Sequence, residues 1–150
     1  MRDSKRIWVW VGVAVVVVAV AAWLIWKPTT TKAPVASVPT PVYASQGQLV
    51  PQFPKDLIID SAAAISGSYS IGYSTTTNQY TAEYNSSSTV TALYNQYKTY
   101  LLANGWTVTG SLATRPTFDA ISASQNNAQL SVVISKEAEG SQVTITYLVK

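Results

Sequence analysis

SSTVTALYNQYKTYLLANGW, residues 87–106, is a stretch of helical period set between runs that alternate. At 100° per residue Val90, Leu93, Tyr94, Tyr97, Tyr100 and Leu101 share one arc, while Asn95, Gln96, Lys98 and Thr99 share the other. Ser87 or Ser88 is expected to cap the first turn through a side-chain oxygen. Asn104-Gly105 is the expected stop, because glycine takes a positive φ without a Cβ clash. A helix with a single apolar face needs a surface to cover. The flanking runs predict that surface to be a sheet.

Upstream, residues 57–65 read as a first strand of the domain and Ser66-Gly67-Ser68 as a turn. Tyr69, Ile71 and Tyr73 are expected on the inward side of a second strand, and 75–78 turn the chain. Tyr80, Ala82 and Tyr84 then alternate with Gln79, Thr81 and Glu83, which predicts a hairpin with tyrosines laddered across it. Downstream, Trp106, Val108, Gly110 and Leu112 begin an inward-facing run, with Thr107, Thr109 and Ser111 toward solvent. A strand over 117–124, a turn at Asn126-Asn127, an inward Leu130-Val132-Ile134 set, and a turn over 137–141 into Val143, Ile145, Tyr147 and Val149 complete the pattern. The order is β-β-β-α-β-β-β-β. One helix on an antiparallel sheet is a two-layer α+β domain.

Ahead of this domain, six of the seven prolines fall between Pro28 and Pro54, among Thr, Ser, Ala and Val. Proline fixes φ and removes a backbone donor, so residues 27–56 predict a linker that forms neither a helix nor a central strand. Residues 7–26, IWVWVGVAVVVVAVAAWLIW, are twenty uncharged and almost wholly apolar positions. At ~1.5 Å per residue they match a hydrocarbon core of ~30 Å, which predicts a single transmembrane helix. Trp8 and Trp10 mark one interface and Trp23 and Trp26 the other. Arg2, Lys5 and Arg6 in the 1–6 stub, offset only by Asp3, outnumber Lys27 and Lys32 beyond the run, so the N-terminus is expected in the cytoplasm and the 57–150 domain outside it. Ala19-Val20-Ala21 has the small-x-small form of a cleavage site, but the apolar run continues past it, and retention of the anchor is expected.

The sequence pI near 9.2 comes from the anchor region. From residue 33 onward five basic side chains face six acidic ones, so the outer domain carries no basic patch and nucleic acid is not an expected partner. There is no histidine and no cysteine. That removes the commonest general base, thiol nucleophiles, the usual zinc ligands, disulfides and lipidated-cysteine anchoring. Asp56 with Asp60, and Glu137 with Glu139, are carboxylate pairs at a strand lead-in and a turn, where solubility is the ordinary role. No cofactor or metal is expected, and no catalysis. Asn85-Ser86-Ser87 matches a glycosylation sequon, its serines better read as caps.

Tyrosine is the unusual resource. Tyr69, Tyr73, Tyr80 and Tyr84 form a candidate aromatic binding surface for a glycan or an envelope protein. Shared faces with Ile71, Val90 and Leu93 instead assign most of the tyrosines to packing.

Val50-Pro51-Gln52-Phe53-Pro54-Lys55-Asp56-Leu57, then Leu93-Tyr94-Asn95-Gln96-Tyr97 with Leu101 and Gly105-Trp106, resembles uncharacterised single-pass membrane-anchored or lipoprotein α+β domains of bacteria. These have a proline-aromatic-proline lead-in and a tyrosine-bearing helix ending in Gly-Trp. The resemblance covers residues 50–150, implies the fold, and brings no catalytic residues. The expected function is a binding or scaffolding module of the cell envelope, in contact with the lipid bilayer and with an envelope protein or glycan. A pilin-like filament subunit is the alternative, although no acid lies between Asp3 and Asp56. A cell-wall enzyme is a third reading.

Overall fold

The computed structural model describes residues 39–114 and 117–150. The strands are β1 (Val42–Tyr43), β2 (Ala64–Gly72), β3 (Asn78–Ser86), β4 (Thr107–Ala113), β5 (Phe118–Gln125), β6 (Ala128–Glu137) and β7 (Gly140–Val149), with helix α1 (Val90–Ala103) between β3 and β4. All pair antiparallel in one sheet of order β1-β2-β3-β7-β6-β5-β4. This is the expected α+β class, and the elements agree with the expected order in number and kind although the first strand lies elsewhere in the chain.

The topology follows from what α1 must do. It takes the chain from β3 in mid-sheet to β4 at the far edge, four strand spacings away, or about 19 Å. Fourteen helical residues rise about 21 Å, which covers that span. The β4–β7 meander then returns strand by strand to β3. Val90, Leu93, Tyr94, Tyr97 and Leu101 of α1 are buried, while Asn95, Gln96, Lys98 and Thr99 are exposed, as the helical period predicts. The sheet answers with Tyr80, Ala82 and Tyr84 from β3, Leu130, Val132 and Ile134 from β6, and Val143 and Ile145 from β7.

The ends of α1 are both satisfied by side chain or backbone. The cap is Thr89, one residue beyond the expected serines, and its Oγ1 accepts from the Ala92 N–H at 3.3 Å. At the other end the Trp106 N–H donates to the Leu101 carbonyl at 2.9 Å and the Gly105 N–H to Leu102 at 3.3 Å, with Gly105 at φ +76°. This is a Schellman stop, and it leads into Trp106, whose ring packs edge-on against Tyr147 with centroids 6.4 Å apart.

Three expectations on the N-terminal side are corrected. Residues 57–63 are not a strand. Lys55–Leu57 is a 3-10 turn, and β2 begins only at Ala64 and runs through the supposed Ser66-Gly67-Ser68 turn. The first strand is instead Val42–Tyr43, inside the stretch expected as linker. An edge position tolerates it between prolines, because β1 pairs on one side only. Val50 and Phe53 lie in the core, so the folded unit reaches well upstream of residue 57. Ser68 fastens this lead-in. Its backbone carbonyl accepts from the Ala44 N–H at 2.9 Å, its Oγ accepts from the Val50 N–H at 3.1 Å, and that hydroxyl donates to the Thr81 carbonyl at 2.8 Å.

Two bulges explain the inverted faces. The register shifts between Ile65 and Gly67, after which Ser68 and Ser70 face the helix while Tyr69 and Ile71 face away. A second shift between Val108 and Gly110 leaves Trp106 buried but Leu112 54 % exposed. The tyrosine ladder is likewise absent across the hairpin, since Tyr69 lies opposite Thr81 and Tyr80 opposite Ser70.

Among the described residues no helix is long and apolar enough to cross a membrane. The 7–26 run, with Trp8, Trp10, Trp23, Trp26, Arg2, Lys5 and Arg6, lies outside them.

Candidate functional site

The four tyrosines expected to form one surface are split by the sheet. Tyr80 and Tyr84 point to the helix side and are buried, Tyr84 completely. Tyr69 stands half-buried on the opposite face, and Tyr73 is exposed beyond the end of β2, its hydroxyl donating to Gln79 Oε1 at 3.1 Å. They cannot act together on one ligand.

The buried pair is structural. The Tyr97 hydroxyl donates to the Leu57 carbonyl at 2.8 Å and lies 2.9 Å from the Tyr84 hydroxyl. A carbonyl can only accept, so the proton between the two rings belongs to Tyr84. Burial pushes Tyr84 up to about 12, with the Tyr97 hydrogen bond opposing and the Asp60 charge reinforcing it. Burial, then the proximity of Tyr84, raises Tyr97 further. Both hydroxyls therefore stay protonated, and neither reaches solvent to serve as an acid or base.

Below the N-terminus of α1, Asp60 holds the loop. It accepts from the Ala62 N–H at 2.9 Å and from the Ser86 hydroxyl, while Ser86 Oγ also accepts from the Ser88 N–H at 3.0 Å. Ser141 closes the group by donating to the Ser88 carbonyl at 2.8 Å. The Asp60–Ser86 and Ser141–Ser88 contacts tie distant segments together, and the two bonds to backbone N–H groups shape the local turns. Among the described residues no cluster of three or more Asp, Glu, His or Cys could hold a metal.

The helix-free face of the sheet differs. Register aligns one side chain per strand into a row: Tyr43, Tyr69, Thr81, Thr146, Ser131 and Ser122. Adjacent members stand about 4.8 Å apart along the row. The Tyr43 and Tyr69 rings pack with centroids 5.6 Å apart. A neighbouring row brings Gln79, Leu148, Gln129 and Ser124 into line. Between the rows lies an open trough of about 520 Å³, lined by hydroxyl and amide residues together with Ala123, Leu130 and Leu148 and by no charged group. Thr109 contributes from the bulge of β4.

Of these hydroxyl residues the sequence pattern puts only Thr109 expressly on the solvent side. The signal was a hydroxyl at the outward position of strand after strand. Tyr43 was hidden by its place in the proline-rich segment.

The architecture defines the class: a seven-stranded antiparallel sheet with a single helix on one face. Residues 68–144, slightly over half of the chain and running from β2 through α1 into β7, match the START domain-like family. The chain belongs to that family. No curated protein and no solved structure matches it.

Proposed function

We propose that this protein is a single-pass membrane protein whose folded domain lies outside the cytoplasm and works as a binding or scaffolding module of the cell envelope, without catalysis. The observation that carries the reading is the run of twenty uncharged residues at 7–26, bracketed by tryptophans and preceded by Arg2, Lys5 and Arg6. Its length suits a bilayer, and the basic flank favours the cytoplasmic side for the N-terminus. The resemblance to membrane-anchored bacterial domains supports the same reading. Binding rather than turnover is favoured because the chain has no histidine or cysteine, and the Asp60, Ser86 and Ser141 side chains hold segments together.

The test uses the full chain with a C-terminal tag. It should sediment with membranes, dissolve only with detergent, and lose its tag to protease added outside cells whose outer barriers have been opened but whose inner bilayer is intact. Recovery in the soluble fraction without detergent, or a tag protected until the bilayer is broken, would refute the reading.

A further inference from the structure

We propose that the helix-free face of the sheet, from the Tyr43–Tyr69 pair to the trough lined in part by Leu148, is a binding site for a neutral oligosaccharide. This deepens the reading above and rests on it for biological setting, since envelope glycans lie outside the bilayer.

The lining chooses the ligand. Ser122, Ser124, Ser131, Thr146, Thr109 and Gln129 make no side-chain hydrogen bond among the described residues, so their donors and acceptors remain open to a ligand. An apolar guest would cover these groups without pairing them, which costs about 1–3 kcal/mol for each fully buried one. An anionic polymer, including nucleic acid, would meet no lysine or arginine in the trough, and phosphate contacts need cations. A sugar has the matching surface. Its hydroxyl rim both donates and accepts, as do Ser, Thr and Gln, and its C–H face lies flat on an aromatic ring.

The geometry adds length. Tyr43 is 71 % exposed and shares its face with the hydroxyl row, so a chain lying across the strands meets rings at one end and hydroxyls at the other. The trough volume of about 520 Å³ falls within the ~300–1,000 Å³ of small-molecule sites. Glu83 lies one row further along the same face, at its margin. Among the described residues it is the charged group nearest the row.

The experiment places the full chain in phosphatidylcholine nanodiscs, because glycoside detergents would compete. Linear oligomers of β-linked glucose, β-linked N-acetylglucosamine and α-linked mannose are titrated by calorimetry at low and high salt. Saturable, salt-insensitive binding of at least one oligomer is expected. Tyr43→Ala and Ser131→Ala should each weaken it about five-fold or more at unchanged melting temperature. Tyr43 sits on a two-residue edge strand, so its removal leaves the core alone. Failure of all three oligomers to bind, affinity unchanged in both variants, or preference for dextran sulfate or a neutral extended peptide would overturn the proposal. Fractionation decides anchoring independently, so loss of sugar binding with intact anchoring rejects this site alone.

Discussion

The Tyr84–Tyr97–Leu57 relay is a case where direction matters more than the number of bonds. Tyr97 is the hub: it donates to Leu57 and receives Tyr84. Tyr97→Phe keeps the ring but strands a carbonyl and a hydroxyl in the core, each costing about 1–3 kcal/mol. Tyr84→Phe leaves the Tyr97–Leu57 bond in place and should cost less than half as much. Urea unfolding of the two variants checks this, as a shift in midpoint at constant slope. Proton linkage gives a second expectation. Tyr84 rises from 10.0 to about 12 in the folded state, so above pH 10 the unfolded chain holds fewer protons than the native one. Stability is then full below pH 10 and falls as pH climbs through 12. A Tyr84→Phe/Tyr97→Phe double variant should flatten that alkaline decline even though it is weaker at neutral pH, which a series of melts from pH 8 to pH 12 will show.

Elements are held by their ends. Thr89 caps α1, so Thr89→Ala should cost about 1 kcal/mol, whereas Ser88→Ala should cost little, since only the Ser88 backbone is engaged. The β6–β7 hairpin depends on Gly140 twice: it takes φ +97°, and a Cβ there would stand 2.0 Å from the Ser86 carbonyl oxygen. Backbone cannot yield as a side chain tip can, so Gly140→Ala should cost more than about 3 kcal/mol in chemical denaturation or prevent folding. Gly67→Ala is the control, because its nearest contact is the flexible Glu83 carboxylate at 3.8 Å. These elements also show what a sequence reveals. Where alternation is unbroken, as in β3, β6 and β7, or where the period is helical, as in α1, the buried face was legible. In β2 and β4 one extra residue reverses parity, and no residue type announced it: Ser66-Gly67 looked like a turn and Gly110 like an ordinary strand position. The candidate site was obscured for the same reason. Simple alternation puts Tyr69 inward, and the hydroxyl row emerges only once register sets the strands side by side.

At the scale of the whole molecule, the proline-rich segment is divided in function. Prolines signal a spacer because they forbid ladders and helices, but they do not forbid packing. Val50, Phe53 and Leu57 are all buried, and Gln52, at φ 72°, accepts from the Tyr80 hydroxyl at 2.6 Å. Pro51 and Pro54 thus stiffen a strap that closes the core rather than a tether that stands clear of it. The energetic consequence is large relative to what a domain has to spare. Removing the Phe53 ring should cost about 3–5 kcal/mol, against a total of about 5–15 kcal/mol for a typical domain. Phe53→Ala in the full chain should therefore lower the denaturant midpoint as much as a substitution under α1 such as Leu93→Ala. Polypeptides beginning at residue 39 and at residue 57 sharpen the test. The longer one keeps the strap and β1 and should unfold in one cooperative step. The shorter one loses Val50 and Phe53 from the core and uncovers Tyr80 and the Ser68 hydroxyl, and should melt without cooperativity or aggregate. Equal stability of the two would mean that residues 39–56 are spacer after all.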